Sequence, residues 1–259
     1  MTLKPPEFDR LVLRRPPLTL VVSQLRFTSI LSILQQEFIA PFQEDIRQLY
    51  PVLEQQQRLQ VQVPPVPGPP LVETSTLWRF LSPDRRWIAA LAPDFLALET
   101  EAYTTFAEFA TRFETLLSAL VNRFHPSQQV RMGLRYVNEF RSPTRRPEPR
   151  DWRGYIREEL LGALVSDAFG AVGGGARQDI RVRQDDGWFV LRLQLAGQEQ
   201  DGPSGVTLDF DYYDEEQRQL DPVDILQKLG RYNDLTYRMF RWAVLDPLLE
   251  ELEPEHENR

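Results

Sequence analysis

Three aspartates, Asp209, Asp211 and Asp214, stand close together in the segment DFDYYD at the end of a predicted strand. Side chains two residues apart in a strand point to the same face, so Asp209 and Asp211 offer neighbouring carboxylates. Carboxylate oxygens suit hard cations such as Mg²⁺, which makes this pair the candidate metal ligands. The alternative is a solvated strand face, or ion pairs with arginines of the neighbouring strands. Those arginines are Arg181, Arg183 and Arg192.

Basic residues concentrate on one predicted strand and on the loop that follows it. The candidate contacts for an anion or for RNA are Arg131, Arg141, Arg145, Arg146 and Arg150. Guanidinium groups bind phosphate through paired hydrogen bonds, and Tyr136 or Trp152 could stack on an unpaired base. The loop also contains Pro143, Pro147 and Pro149, so a stiff, solvated connection is the alternative.

Several kinds of catalytic centre lack the residues they need. The chain has no cysteine, which excludes disulfides, thiolate nucleophiles and cysteine-ligated metals. Its two histidines are His125, at a predicted helix end, and His256, in a charged tail. The glycines at 173–175 link a helix to a strand without a nearby lysine, unlike a phosphate-binding loop. We therefore expect no cofactor, and a role other than catalysis is favoured.

Charge is unevenly distributed along the 259 residues, whose formal net charge is −8. Residues 1–150 hold 18 basic and 15 acidic residues, whereas residues 151–259 hold 12 and 23. General affinity for nucleic acid depends on neutralising phosphates, so the acidic balance disfavours it. No apolar run is long enough to cross a membrane and no secretory leader is visible, so we expect a cytoplasmic protein without membrane contacts.

The first half of the chain predicts the order strand, helix, three strands, helix. Alternation over 18–27 predicts the opening strand, and the spacing of Phe38, Phe42 and Ile46 predicts a helix. Three strand candidates follow at 59–63, 74–81 and 87–100. A long apolar stripe then predicts a helix from Thr104 or Thr105 to Phe124, with Thr105 and Glu108 at the spacing of a capping box.

The second half repeats this order. A strand is expected at 130–140 and a shorter helix at 151–161. Three more strands are predicted at 178–184, 188–196 and 206–213. The first two are joined by an Asp-Gly hairpin signal at 185–187. The last helix is expected to begin at Asp221, with Pro222 in its first turn.

Element order therefore predicts an α+β fold made by tandem βαβββα duplication. Such ferredoxin-like halves would form antiparallel sheets with helices packed on one face. The halves are expected at 1–126 and 127–259, together making one compact unit. A fold of this kind hosts many functions and does not choose among them.

Four motifs carry a resemblance to a known family. They are QxRF at 24–27, WxFxS at 78–82, FLxLET at 95–100 and GLRYxN at 133–138. Together they resemble the signature of a sporadically distributed prokaryotic family of uncharacterised proteins, over nearly the whole chain. The resemblance implies no activity, cofactor or catalytic residue, and a patchy distribution fits a defence or mobile-element setting.

Polar motif residues form a further candidate site. They are Gln24, Arg26, Glu99, Arg135 and Asn138. They lie on predicted strands whose opposite faces are apolar, so they could converge on one polar site. The alternative is a structural network in which Glu99 pairs with Arg26 or Arg135 and fixes strand register.

Three functions remain open from the sequence. The first is a non-enzymatic interaction or regulatory module, working with a separate protein partner or as a homo-oligomer. The second is RNA binding or processing by tandem ferredoxin-like halves. The third is small-molecule binding in a cleft lined by Trp78, Trp87 and Tyr136. The first function predicts an exposed apolar patch or a self-complementary edge strand.

Overall fold

The computed structural model describes residues 3–62, 71–141, 149–166, 176–196 and 205–255. The described residues form ten strands and five α-helices. The strands are β1 (Leu18–Phe27), β2 (Val52–Gln62), β3 (Leu71–Leu81), β4 (Trp87–Ala92), β5 (Phe95–Thr100), β6 (Gln128–Arg141), β7 (Ala176–Gln184), β8 (Gly187–Ala196), β9 (Gly205–Asp214) and β10 (Arg218–Gln219).

Helices occupy a smaller part of the described chain. They are α1 (Gln36–Ile46), α2 (Phe106–Phe124), α3 (Glu158–Leu161), α4 (Pro222–Ala243) and α5 (Asp246–Glu251). Short 3₁₀ turns occur at Leu31–Leu34, Pro149–Trp152 and Gly162–Val165. Thr105 caps α2 by accepting a hydrogen bond from the backbone N–H of Glu108, as its spacing predicts.

The prediction of two ferredoxin-like βαβββα halves with helices on one face is wrong. The described strands form one ten-stranded antiparallel sheet in the order β2-β3-β4-β5-β1-β6-β9-β8-β7, and β10 pairs with β6. Most neighbours in this order are also neighbours in the chain, as expected for hairpin connections. The sheet dominates the architecture.

Two local features explain the error. The predicted strand at 87–100 is interrupted by a turn at Pro93 and Asp94, so it forms the hairpin β4–β5. The helix predicted at 151–161 is replaced by a 3₁₀ turn and the four-residue α3. The first change adds a strand and the second removes most of a helix, which shifts the balance from helix towards sheet.

The chain divides into two compact units that are interleaved in sequence. Unit 1 comprises Met1–Leu20, Arg135–Tyr213 and Arg231–Arg259, and unit 2 comprises Val21–Leu134 and Asp214–Gly230. The division at residue 126 that the element order suggests remains a prediction.

Unit 2 is built around an aromatic core between its helices and strands. Phe42 of α1 lies 5.5 Å from Phe80 of β3 and 6.0 Å from Phe124 of α2, measured between ring centroids. Phe109 of α2 packs against Trp87 of β4. All five rings are buried, which accounts for the aromatic stripe that predicts α2.

Unit 1 has its own core, in which α4 packs against β9. The rings of Tyr212 and Tyr232 stack with centroids 4.1 Å apart, and the Tyr136 hydroxyl donates a hydrogen bond to the buried Asn233. At the start of β9, a Cβ on Gly205 would lie 2.6 Å from the Phe140 carbonyl oxygen. Only glycine fits this close approach without a backbone shift.

Candidate functional site

One face of the hairpins β7–β8 and β8–β9 carries charged and aromatic side chains. Residues directly opposite each other in antiparallel strands share a face. The register therefore gives a row of Arg183, Trp188 and Tyr213 and, two positions along, a row of Arg181, Val190 and Asp211. We call this surface the arginine face. Its charged and aromatic members are Arg177, Asp179, Arg181, Arg183, Trp188, Arg192, Asp209, Asp211 and Tyr213.

Asp209 is the centre of an ion-pair network on the arginine face. Arg135 of β6 donates two hydrogen bonds to its carboxylate, each 2.8 Å long. Arg192 donates to the same carboxylate at 3.2 Å and reaches Asp211 at 3.5 Å. Both aspartates are buried, so these guanidinium groups compensate carboxylates that have lost water.

Contacts on this face shift the pKa values of two of its side chains. Hydrogen bonds from Arg177 hold the pKa of Asp179 below its ordinary value. Hydrogen bonding to Asp209 raises the pKa of Arg135 above its ordinary value, against the opposing effect of burial. Asp179 and Arg135 are therefore charged over the physiological pH range, as members of ion pairs are.

The predicted metal ligands, Asp209 and Asp211, do lie on one face as their alternation requires. The structure surrounds them with guanidinium groups, and Arg192 is one of the partners expected under the ion-pair alternative. Within the described ranges, no group of three or more histidine or acidic residues could hold a metal ion. The geometry supports the ion-pair interpretation.

Arginine and aromatic side chains stack at the edge of the same face. The guanidinium carbons of Arg181 and Arg183 lie 4.1 Å and 5.0 Å from the ring centroid of Trp188. Arg181 also lies 5.7 Å from the ring of Tyr213. Both arginines are exposed and Trp188 is half-buried, so this group is accessible from solvent. From the sequence, these arginines are expected only as ion-pair partners of Asp209 and Asp211.

The polar motif residues bind partners other than those predicted. In unit 2, Arg26 pairs with Asp94 at 2.6 Å and Glu99 pairs with Arg79 at 3.7 Å. Gln24 accepts a hydrogen bond from Arg131. In unit 1, the Asn138 side-chain amide donates to the Leu208 carbonyl oxygen, and Arg135 binds Asp209. The contacts of Gln24, Arg135 and Asn138 link the neighbouring strand pairs β1–β6 and β6–β9, whereas Glu99 of β5 reaches Arg79 of β3 across β4. Contacts between strands of this kind are what the structural-network alternative expects.

The predicted anion contacts are only partly within the described residues. Arg131 contacts Gln24, and the exposed Arg141 pairs with Glu139 at 2.6 Å. Arg141 and Glu139 line a cleft of about 250 Å³ beside Gly205. Arg145, Arg146 and the glycines at 173–175 lie outside the described residues, as does the side chain of Arg150.

A buried charge cluster in unit 2 has no counterpart in the sequence predictions. The Lys228 ammonium donates to Asp214 at 2.6 Å, and each residue is only 3% exposed. Arg218 lies 3.3 Å from both Asp214 and Asp224, and Lys228 lies 3.8 Å from Asp224. Lysine is scarce in this chain, with Lys4 as the other one, and that rarity is the only signal that marked the position.

An apolar surface lies at the beginning of the α1 segment in unit 2. Leu31, Leu34 and Phe38 are 71%, 41% and 44% exposed, and we call them the apolar patch. Leu31 and Leu34 occupy equivalent positions one turn apart in the 3₁₀ turn. Between them, Ile33 is completely buried, and its carbonyl accepts a 2.7 Å hydrogen bond from the indole of Trp78. The burial of Ile33 and its hydrogen bond with Trp78 attach the apolar patch to the core of unit 2.

The aromatic residues predicted to line a ligand cleft lie instead in the cores of their units. Trp78 and Trp87 are 3% and 4% exposed in unit 2, and Tyr136 is 7% exposed in unit 1. Arg112 covers the ring of Trp87, with its guanidinium carbon 4.3 Å from the centroid. These three side chains contribute to packing.

No family model matches the chain, and no curated protein matches its sequence. The resemblance to an uncharacterised prokaryotic family therefore stays a prediction. Among the described residues, the helices are too short or too polar for any of them to cross a membrane.

Proposed function

We propose that this chain is a non-enzymatic interaction module that binds a separate protein partner through the apolar patch. The observation that carries the proposal is the exposure of Leu31, Leu34 and Phe38 within eight residues of chain. Large apolar side chains grouped on a fixed surface favour association, because each loses contact with water when a partner covers it.

The construction of the patch supports this function. Ile33 anchors the turn in the core of unit 2, so the flanking leucines are presented without a large ordering cost on binding. The other large exposed apolar residues, Val12 and Val223, belong to different segments of the described chain. Isolated exposed residues of that kind are ordinary, whereas a group is a feature of binding surfaces.

The polar candidates support a role other than catalysis. Asp209, Asp211 and Glu99 each bind an arginine, and Asn138 binds a backbone carbonyl. The family resemblance suggests a defence or mobile-element setting for the partner.

The test is capture of the partner by the affinity-tagged chain from its own host, with and without nuclease treatment, followed by mass spectrometry of proteins, nucleic acids and small molecules. The triple variant L31S/L34S/F38S removes the apolar surface while leaving Ile33 in place. We expect a stoichiometric protein to accompany the wild-type chain and to be lost from the triple variant.

The double variant V12S/V223S is the matched control, because Val12 and Val223 are 63% and 64% exposed elsewhere on the chain. It should retain the partner. Equal capture by the triple variant would show that the apolar patch is not the binding surface. Recovery of only RNA or a metabolite with the wild-type chain would contradict an interaction module.

A further inference from the structure

The arginine face carries more positive charge than its own aspartates neutralise. Counting Arg135, which reaches Asp209 from β6, the described side chains there include five arginines and three aspartates. The aspartates are occupied: Asp209 by Arg135 and Arg192, Asp211 by Arg192, and Asp179 by Arg177. An excess of positive charge at one surface is notable in a chain whose net charge is −8.

The excess belongs to Arg181 and Arg183. Across the ranges that the structure describes, no carboxylate lies within ion-pair distance of either guanidinium, and their contacts are with Trp188 and Tyr213. The adjacent Asp179 does not neutralise them, because both of its carboxylate oxygens accept hydrogen bonds from Arg177. Both arginines are exposed on β7, the last strand of the described sheet.

Contact with the Trp188 ring orients these two guanidinium groups before an anion binds. A guanidinium held over an aromatic ring loses side-chain freedom before binding, while its N–H edge stays free to donate two hydrogen bonds to a phosphate. Arg183 lies directly opposite Trp188 in the register, and Arg181 lies two residues along the same face. Two donor groups at neighbouring same-face positions can follow two successive backbone phosphates.

We propose that Arg181, Arg183 and Trp188 form a binding site for single-stranded nucleic acid on the arginine face. The N–H edges of the arginines supply the phosphate contacts, and the solvent-facing sides of the guanidinium planes held over Trp188 supply surfaces on which unpaired bases stack. A duplex hides its base faces, so the stacking groups favour a single strand. This site is separate from the apolar patch and does not depend on the proposed protein partner.

The experiment measures fluorescence anisotropy of a labelled single-stranded RNA or DNA oligonucleotide of about 12 nucleotides. The variant is R181Q/R183Q, and the matched control is R14Q/R15Q. Arg14 and Arg15 also belong to unit 1, are 67% and 70% exposed, and carry the same total charge. All of these substitutions are at exposed positions, and thermal unfolding checks that the variants stay folded.

We expect the wild-type chain to bind the oligonucleotide with an affinity that falls as salt rises. Each phosphate contact to a single strand contributes about 0.7 to the slope of log affinity against log salt. R181Q/R183Q should lower that slope by about 1.4, which corresponds to roughly 50-fold weaker binding at about 50 mM salt. W188L should also weaken binding, W188F should retain most of it, and R14Q/R15Q should keep the wild-type slope.

Three outcomes would overturn the proposal. One is the absence of binding by the wild-type chain at low salt, and another is an unchanged salt slope in R181Q/R183Q. The third uses poly-L-glutamate as competitor. If it displaces the oligonucleotide at equal charge concentration, the arginines select an acidic protein segment rather than a nucleic acid. None of these results bears on capture of a protein by the apolar patch, so the two proposals fail independently.

Discussion

Replacing Lys228 by methionine tests the buried charge cluster of unit 2. Methionine keeps the length of the lysine stem and so preserves most of its apolar packing. The lost group is the ammonium, which donates at 2.6 Å to Asp214. Since Lys228 and Asp214 are each 3% exposed, water cannot replace that donor.

The expected magnitude follows from what Asp214 retains. Removing one partner of a buried ion pair costs about 3–5 kcal/mol, because the remaining charge is left uncompensated. Asp214 keeps Arg218 at 3.3 Å, which places K228M at the lower end, about 3 kcal/mol. Adding D214N removes the opposite charge and leaves Arg218 paired with Asp224 at 3.3 Å. The double variant D214N/K228M should therefore be more stable than K228M alone.

The assay is urea unfolding followed by circular dichroism for the wild type, both single variants and the double variant. The cycle should give a coupling energy of at least about 2 kcal/mol between Asp214 and Lys228. A loss below about 1 kcal/mol in K228M would refute the reasoning. Strictly additive single effects would refute it as well, because they would mean that the two charges do not depend on each other.

Three further substitutions test other parts of the fold. G205A should lower the free energy of unfolding by about 1–3 kcal/mol, because its Cβ would lie 2.6 Å from the Phe140 carbonyl oxygen. G230A, which has open space in a helix, should be neutral or stabilising by up to about 1 kcal/mol in the same urea assay. D45N tests pH dependence, since hydrogen bonds from Arg123 hold the pKa of Asp45 below its ordinary value of 3.8. That pair stabilises the fold above pH 3.8 and loses its effect as pH falls through the lowered pKa. D45N should therefore cost up to about 1 kcal/mol at neutral pH and nothing in strong acid, and a cost independent of pH would contradict the assignment.

Local signals in the sequence predict local structure well in this chain. The capping spacing of Thr105 and Glu108 places the start of α2, and Asp221 with Pro222 places the start of α4. Strict alternation predicts β6, and the Asp-Gly signal predicts the turn between β7 and β8. Each of these features is determined by residues that lie a few positions apart in the chain, so a short stretch of sequence is enough to predict it.

Sheet order and charge pairing are not local and were not predictable in the same way. Asp94, in the turn that splits 87–100, binds Arg26, which lies 68 positions earlier. Arg135 and Asp209 are 74 positions apart. Alternation shows which face a side chain takes but not which strand lies beside it, so the partners of the polar motif residues could not be predicted.

The distribution of arginines separates two uses of the same side chain. Arg135 and Arg192 bind buried carboxylates. Replacing either arginine would leave a buried carboxylate less well compensated and so lower the free energy of unfolding. Arg181 and Arg183 have an aromatic ring beneath them and solvent above, so replacing them removes little from the fold. The two pairs thus make different predictions: R135Q and R192Q should each lower the free energy of unfolding clearly, while R181Q/R183Q should lower it by only about 1 kcal/mol, the scale of exposed cation–π contacts, and act mainly on ligand binding. That contrast in stability separates the structural role of Arg135 and Arg192 from the ligand-binding role proposed for Arg181 and Arg183.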